Sequence, residues 1–189
     1  MASPEPNLQQ PWNSWYHCTG HTFGTWLPGD PRGFRTRNHR RHVDGDYKSP
    51  PPKGKHEGLH QYSKSLMTRP AVYLKPDQRS LVVRLLVESL MRRKIDVVIA
   101  CVGSVHFHIL ARFLDRRADH WIGLAKKESA HFAKESGQCP IGGRWAAGGK
   151  CQPIANRQHQ LAAARYISDH RTEGAAVWFR GKIFAPITP

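Results

Sequence analysis

Residues 95–113 constrain this chain more than any other stretch. Segments 95–100 and 105–113 are rich in β-branched and apolar residues and read as two strands. Val102-Gly103-Ser104 between them reads as a tight hairpin turn. Side chains alternate between the two faces of a strand, so His106 and His108 project side by side while Val105, Phe107 and Ile109 point into the core. Two imidazoles one pleat apart on a stiff strand can hold a divalent cation and leave coordination positions open for substrate. The plainer reading is a half-buried strand that carries two of the chain's 12 histidines by chance. The balance turns on a partner far downstream.

Lys and Arg number 29 against 14 Asp and Glu, a formal charge of +15 in 189 residues. A field of that sign attracts polyanions and speeds their association, so nucleic acid is the first expected partner. A membrane surface is second, but no basic amphipathic helix dominates the chain and no apolar run is long enough to span a bilayer. The first ten residues are polar, without the apolar centre of a signal peptide, so a cytoplasmic, nucleoid-associated protein is expected. No pair among Cys18, Cys101, Cys139 and Cys151 has zinc-knuckle spacing, and they are read as reduced thiols. A site joining Cys139 and Cys151 with His131 is a weaker alternative.

Residues 1–13 read as a disordered leader and 183–189 as a tail, leaving one domain over 14–182. Aromatic and Thr enrichment over 14–26 predicts an opening strand. Leu27-Pro28-Gly29-Asp30-Pro31 breaks it, and an aperiodic, basic, Pro/Gly-rich insertion runs to about residue 60. Either it is merely solvated, or it is a flap that settles on a phosphate backbone. The excess of Arg32, Arg35, Arg37, Arg40 and Arg41 over acids favours the flap. Helices are predicted over 76–93, 116–135 and 157–171, the last N-capped by Asn156 and stopped by Gly174. Residues 144–151 and 175–182 read as short strands. Trp145 could stack on an unpaired base, although core packing is the commoner role of a tryptophan.

This order is close to a ferredoxin-like βαββαβ arrangement: an α+β fold with an antiparallel sheet, helices packed on one face, and an added C-terminal helix. That last helix carries Tyr166 and, one turn on, His170, which share a helical face with His159. A tyrosine hydroxyl and a further imidazole are thereby presented together. Alone, an amphipathic helix whose tyrosine packs half-buried with its hydroxyl in water is the better explanation.

Together these pieces resemble the HUH-type single-tyrosine transposases, the family that includes the REP-associated tyrosine transposases. The resemblance rests on the opening Trp15-Tyr16-His17-Cys18-Thr19, on His106-Phe107-His108, and on Arg165-Tyr166-Ile167-Ser168-Asp169-His170, with Tyr166 lying 60 residues after His106 (166 − 106). Trp26-Leu27-Pro28-Gly29-Asp30-Pro31-Arg32-Gly33 is similar to a segment of some members. The likeness covers most of residues 14–180. It implies a Mg2+ or Mn2+ ion held by His106, His108 and a residue near the tyrosine. His170 is the first choice, with His159 and Asp169 as alternatives, whereas the family often has Gln, Asn or Glu there. It further implies that Tyr166 attacks a phosphate of single-stranded DNA to give a 5′-phosphotyrosine link and a free 3′-hydroxyl, and that a homodimer recognises a DNA hairpin near the cut. Arg112, Arg116 and Arg117 are added to the basic residues suited to that DNA. The competing expectations are a non-catalytic nucleic-acid-binding relative, a rolling-circle replication initiator with the same chemistry, and a basic ribosome-associated protein.

Overall fold

The computed structural model describes residues 12, 14–34, 50–137 and 144–186. Arg35, Arg37, Arg40, Arg41 and Cys139 lie outside them. The chain divides into two compact units, residues 22–73 and the remainder.

The elements in chain order are β1 (Trp15–His21), α1 (Glu57–Ser65), α2 (Pro76–Met91), β2 (Asp96–Val102), β3 (His106–Arg112), α3 (Ala118–Glu135), β4 (Lys150–Pro153), α4 (Arg157–Asp169), β5 (Ala176–Phe179) and β6 (Lys182–Phe184). All but α1 belong to the larger unit, an α+β structure with one antiparallel sheet in the order β4-β1-β3-β2-β5-β6.

The hairpin at the centre of the sequence is the centre of the sheet. β2 and β3 pair antiparallel, and Gly103 N–H donates to the His106 carbonyl at 2.9 Å to close the turn. β1 lies on the other side of β3, with Cys18 opposite Ile109 and Thr19 opposite His108. The opening strand is shorter than expected and ends at His21; residues from Thr22 on enter the smaller unit. Two strands extend the sheet beyond β2. The 175–182 segment supplies β5, and a turn at Arg180-Gly181, both with positive φ (46° and 80°), reverses the chain into β6, which had not been expected.

Both faces of the sheet are covered. Phe107, Ile109 and Ala100 are fully buried on the side packed by α2 and α3, with Leu86, Val87 and Leu90 of α2 also buried. On the opposite side Ile99, Cys101, Leu110 and Val177 pack against Ala163 and Ile167 of α4. α2 and α3 thus share one face, and the added C-terminal helix α4 lies on the other, across the β2–β3 half of the face that carries His106 and His108. The predicted N-cap is present, whereas α4 ends at Asp169 with His170 as its C-cap, two residues short of the expected end, and Gly174 lies beyond it in the following turn. Asn156 Oδ1 accepts from His159 N–H at 2.9 Å, and Gly174 has a φ of 82°.

In the smaller unit, Thr22 Oγ1 donates to the Val72 carbonyl at 2.6 Å and ties its two ends together. Asp30 accepts from Arg32 Nη2 at 2.6 Å, and Arg32 also lies over the Trp26 ring. Residues 57–65, at the end of the expected aperiodic insertion, form α1, none of whose residues is buried. No helix among the described residues is long and apolar enough to cross a membrane.

Candidate metal centre

The strand alternation that puts Phe107 and Ile109 in the core puts His106 and His108 on the α4 side. Ile167 and Ala163 fix the rotation of α4 by burying against the sheet, and that rotation turns His170 towards the two strand histidines. His106, His108 and His170 form one cluster in which the three ligand atoms lie within 4.8 Å of one another. Their ring centroids are 5.0 Å (His106–His108), 5.2 Å (His106–His170) and 4.6 Å (His108–His170) apart. His170 is only 5% exposed. Of the three sequence alternatives for a third ligand, the structure brings in His170. His159 is occupied in the cap of α4, where its Nδ1 accepts from Ala155 N–H at 3.1 Å, and Asp169 is exposed.

The donor set suits a cation. A carbonyl can only accept, so His170 Nδ1, 2.8 Å from the Tyr166 carbonyl, carries the proton, and its Nε2 is left with a lone pair. His106 Nε2 is buried without a hydrogen-bond partner. An orphaned buried imidazole nitrogen is costly, and a metal ion is a partner that would satisfy it. Burial lowers the basicity of His108 to a pKa of about 2, with His106, His170 and His17 adding to the effect, and burial likewise lowers His106. Neutral imidazoles are the form that ligates. The triad can hold a metal ion. Three nitrogen donors with no carboxylate among them are a donor set that suits Co2+ or Zn2+ better than the oxygen-seeking Mg2+ or Mn2+. Glu173, 70% exposed, has its Oε2 4.0 Å from His170 Nε2.

Tyr166 stands beside this cluster. Its ring centroid is 4.6 Å from that of His170 and 5.2 Å from that of His108, both edge-on, and the residue is 50% exposed. An accessible phenol thus borders a set of buried nitrogen ligands.

Sequence reasoning missed His17 as a member of the site. β1 pairs His17 with Leu110, which puts it on the same sheet face as His108. Its Nε2 is 3.0 Å from His108 Nδ1, and its ring is 6.0 Å from that of Tyr166. Burial, followed by the nearby His159, His170 and Lys150, depresses its pKa to about 4. Only the β1–β3 register reveals this contact between residues 91 apart.

Among the described residues, the expected basic residues of the larger unit do not form one cluster. Arg112 shares the His108 face of β3, about 13 Å farther along at the usual strand rise, and its Nε donates to Ser14 Oγ at 3.2 Å. Arg116 and Arg117 lie between β3 and α3, with Arg117 above the Trp121 ring at 5.9 Å. Arg32 belongs to the smaller unit and is engaged by Asp30. Trp145 is no stacking platform: it is 9% exposed, packs edge-on against Phe107 at 5.0 Å and donates from Nε1 to Ser129 Oγ. His131 pairs with Glu135 on the exposed side of α3, and Cys18 and Cys151 face each other across β1 and β4 as free thiols.

Comparison with protein-family models, with curated proteins and with solved structures returned no match for this chain.

Proposed function

We propose that the protein is a metal-dependent tyrosine nuclease and strand transferase acting on single-stranded DNA, of the kind its sequence resembles. One observation carries the reading: the exposed Tyr166 phenol adjoins a buried three-histidine cluster built from β3 and α4. The strand order β4-β1-β3-β2, with α2 leading into β2 and α3 joining β3 to β4, supports the ferredoxin-like arrangement expected of such an enzyme. The charge of +15 supports a polyanionic substrate.

His106, His108 and His170 would hold the cation, which when bound polarises the scissile phosphate as a Lewis acid. The Tyr166 hydroxyl attacks phosphorus and gives up its proton; the bond from phosphorus to the 3′-oxygen breaks, and that oxygen takes up a proton. The 5′-phosphate remains on Tyr166 until a 3′-hydroxyl attacks it and reseals the strand. Tyr166 on α4 and His170 at its C-cap lie one turn apart, so one helix end carries both nucleophile and ligand. On the same reading the working form is a homodimer that engages a DNA hairpin beside the cut, in the cytoplasm with the nucleoid.

Incubating the protein with a pool of single-stranded DNA and Mn2+ tests this. An adduct that survives denaturation, and that is lost in Tyr166→Phe, in His106→Ala and with chelator, supports the reading. Salt-sensitive DNA binding without any adduct favours a non-catalytic binding protein instead.

A further inference from the structure

The geometry points to His17 as a positioning residue that holds His108 in the one tautomer able to bind a metal. This rests on the metal reading of the triad. His17 Nε2 and His108 Nδ1 are 3.0 Å apart, with the rings tilted by 32°. One of these two nitrogens must carry the shared proton. If His17 donates, neutral His108 has its proton on Nε2, and neither His108 nitrogen has a free lone pair for a metal. If His108 donates, its Nδ1 is satisfied and its Nε2 lone pair is free. Only the second sense is compatible with ligation.

The second sense repeats what α4 does for its own histidine. His170 Nδ1–H donates to the Tyr166 carbonyl at 2.8 Å, which leaves His170 Nε2 as ligand. Two of the three triad imidazoles are therefore held from behind, one by a backbone carbonyl and one by His17. The third, His106, lies over Gly103, where an added Cβ would come within 3.3 Å of its Cε1. Each ring has a distinct constraint on its orientation. Such outer partners typically govern metal affinity by 10- to 100-fold. His17 does so from β1, an element that contributes no residue to the triad.

Titration of the full-length protein with Co2+, followed by its visible absorption, tests the inference with His17→Leu and His17→Gln. Gln keeps an acceptor oxygen for the His108 proton and Leu does not. His17→Leu is expected to weaken Co2+ binding by about 10- to 100-fold, and His17→Gln to stay within about 3-fold of wild type. In the metal-free wild type, imidazole 15N spectra should show His108 protonated at Nδ1 and bare at Nε2, with His17 Nε2 accepting; this reading needs no variant to fold. The opposite proton placement, or Leu binding Co2+ as tightly as wild type, overturns the role of His17 while leaving the triad intact. A wild type that binds no Co2+ overturns the metal reading and this inference with it.

Discussion

His170 Nδ1 lies 2.8 Å from the carbonyl oxygen of Tyr166, the residue one turn before it on α4. That bond couples the proposed nucleophile to a proposed ligand through the backbone of a single helix. It turns His170 Nε2 away from the helix and towards His106 and His108, beside the half-exposed Tyr166.

Removing that ligand should cost metal, not fold. His170→Ala is expected to weaken Co2+ or Zn2+ binding by at least about 100-fold, since one of three ligands is lost. The nitrogen-only donor set also predicts that Zn2+ and Co2+ bind more tightly than Mn2+, and that Mg2+ binds most weakly. Isothermal titration of the chelator-treated protein checks both; Mg2+ binding as tightly as Co2+ would contradict the donor assignment.

The imidazole cluster should make stability pH-dependent in a defined window. His17 and His108 have folded pKa values of about 4 and about 2, and that of His106 is also lowered, all mainly by burial. Unfolded histidine titrates near 6.5, so below that pH the unfolded chain binds more protons and the folded state loses stability. Each such histidine contributes a slope of up to about 1.4 kcal/mol per pH unit between roughly 6.5 and its folded value. Urea midpoints should therefore fall from pH 7 to pH 5 in the metal-free protein, and fall less in His108→Gln. A flat profile over that range would show that the histidines are not buried as neutral groups.

Glu128 on α3 supports a second, independent stability claim. It accepts from Ser89 at 2.7 Å and from Arg92 at 2.8 Å, and pairs closely with Arg93, so that α3 is bound to α2 and the turn after it. The Arg93 hydrogen bond, aided by Ser89 and Arg92, holds its carboxyl at about 2. A depressed carboxyl stabilises above its unfolded pKa and loses that contribution as pH falls towards 2. Glu128→Gln should cost roughly 1–3 kcal/mol at neutral pH, measured by urea denaturation, with the difference from wild type shrinking below about pH 4.

Gly20 marks a close approach that any side chain would violate. It faces Phe107 across β1 and β3, and a Cβ there would come within 2.5 Å of Phe107 Cε1, in a fully buried ring. Gly20→Ala should destabilise the protein by about 1–3 kcal/mol through overpacking. Thermal unfolding of Gly20→Ala beside Gly20→Ala/Phe107→Leu would show partial recovery if the clash is with that ring.

How much of this was legible in the sequence follows from the range of each signal. The His106–His108 pair and the Tyr166–His170 pair are set by local periodicity, two on a strand and four on a helix, and periodicity is written in the chain. The preference for His170 came from the family resemblance, and periodicity alone left His159 and Asp169 open, because the choice depends on which side of α4 buries Ala163 and Ile167. His17 was hidden for the same reason: a lone histidine in an aromatic strand gains its partner only through register with β3. α1 was masked by the Pro/Gly-rich residues before it. Its Leu59 and Tyr62 stay exposed, so it lacks the buried stripe that helix periodicity reports. β6 is three residues long, too short to alternate visibly, and its turn residues Arg180 and Gly181 are the only local sign of it.

The most direct test of the central claim is to find the DNA on Tyr166 itself. Trypsin cuts after Arg165 and Arg171, which isolates the peptide from Tyr166 to Arg171. After reaction with single-stranded DNA and Mn2+, nuclease trimming and mass spectrometry should show that peptide carrying a 5′-linked nucleotide on its tyrosine, and only when metal is present. An adduct mapped to another residue, or none on any peptide while DNA remains bound, would contradict the account.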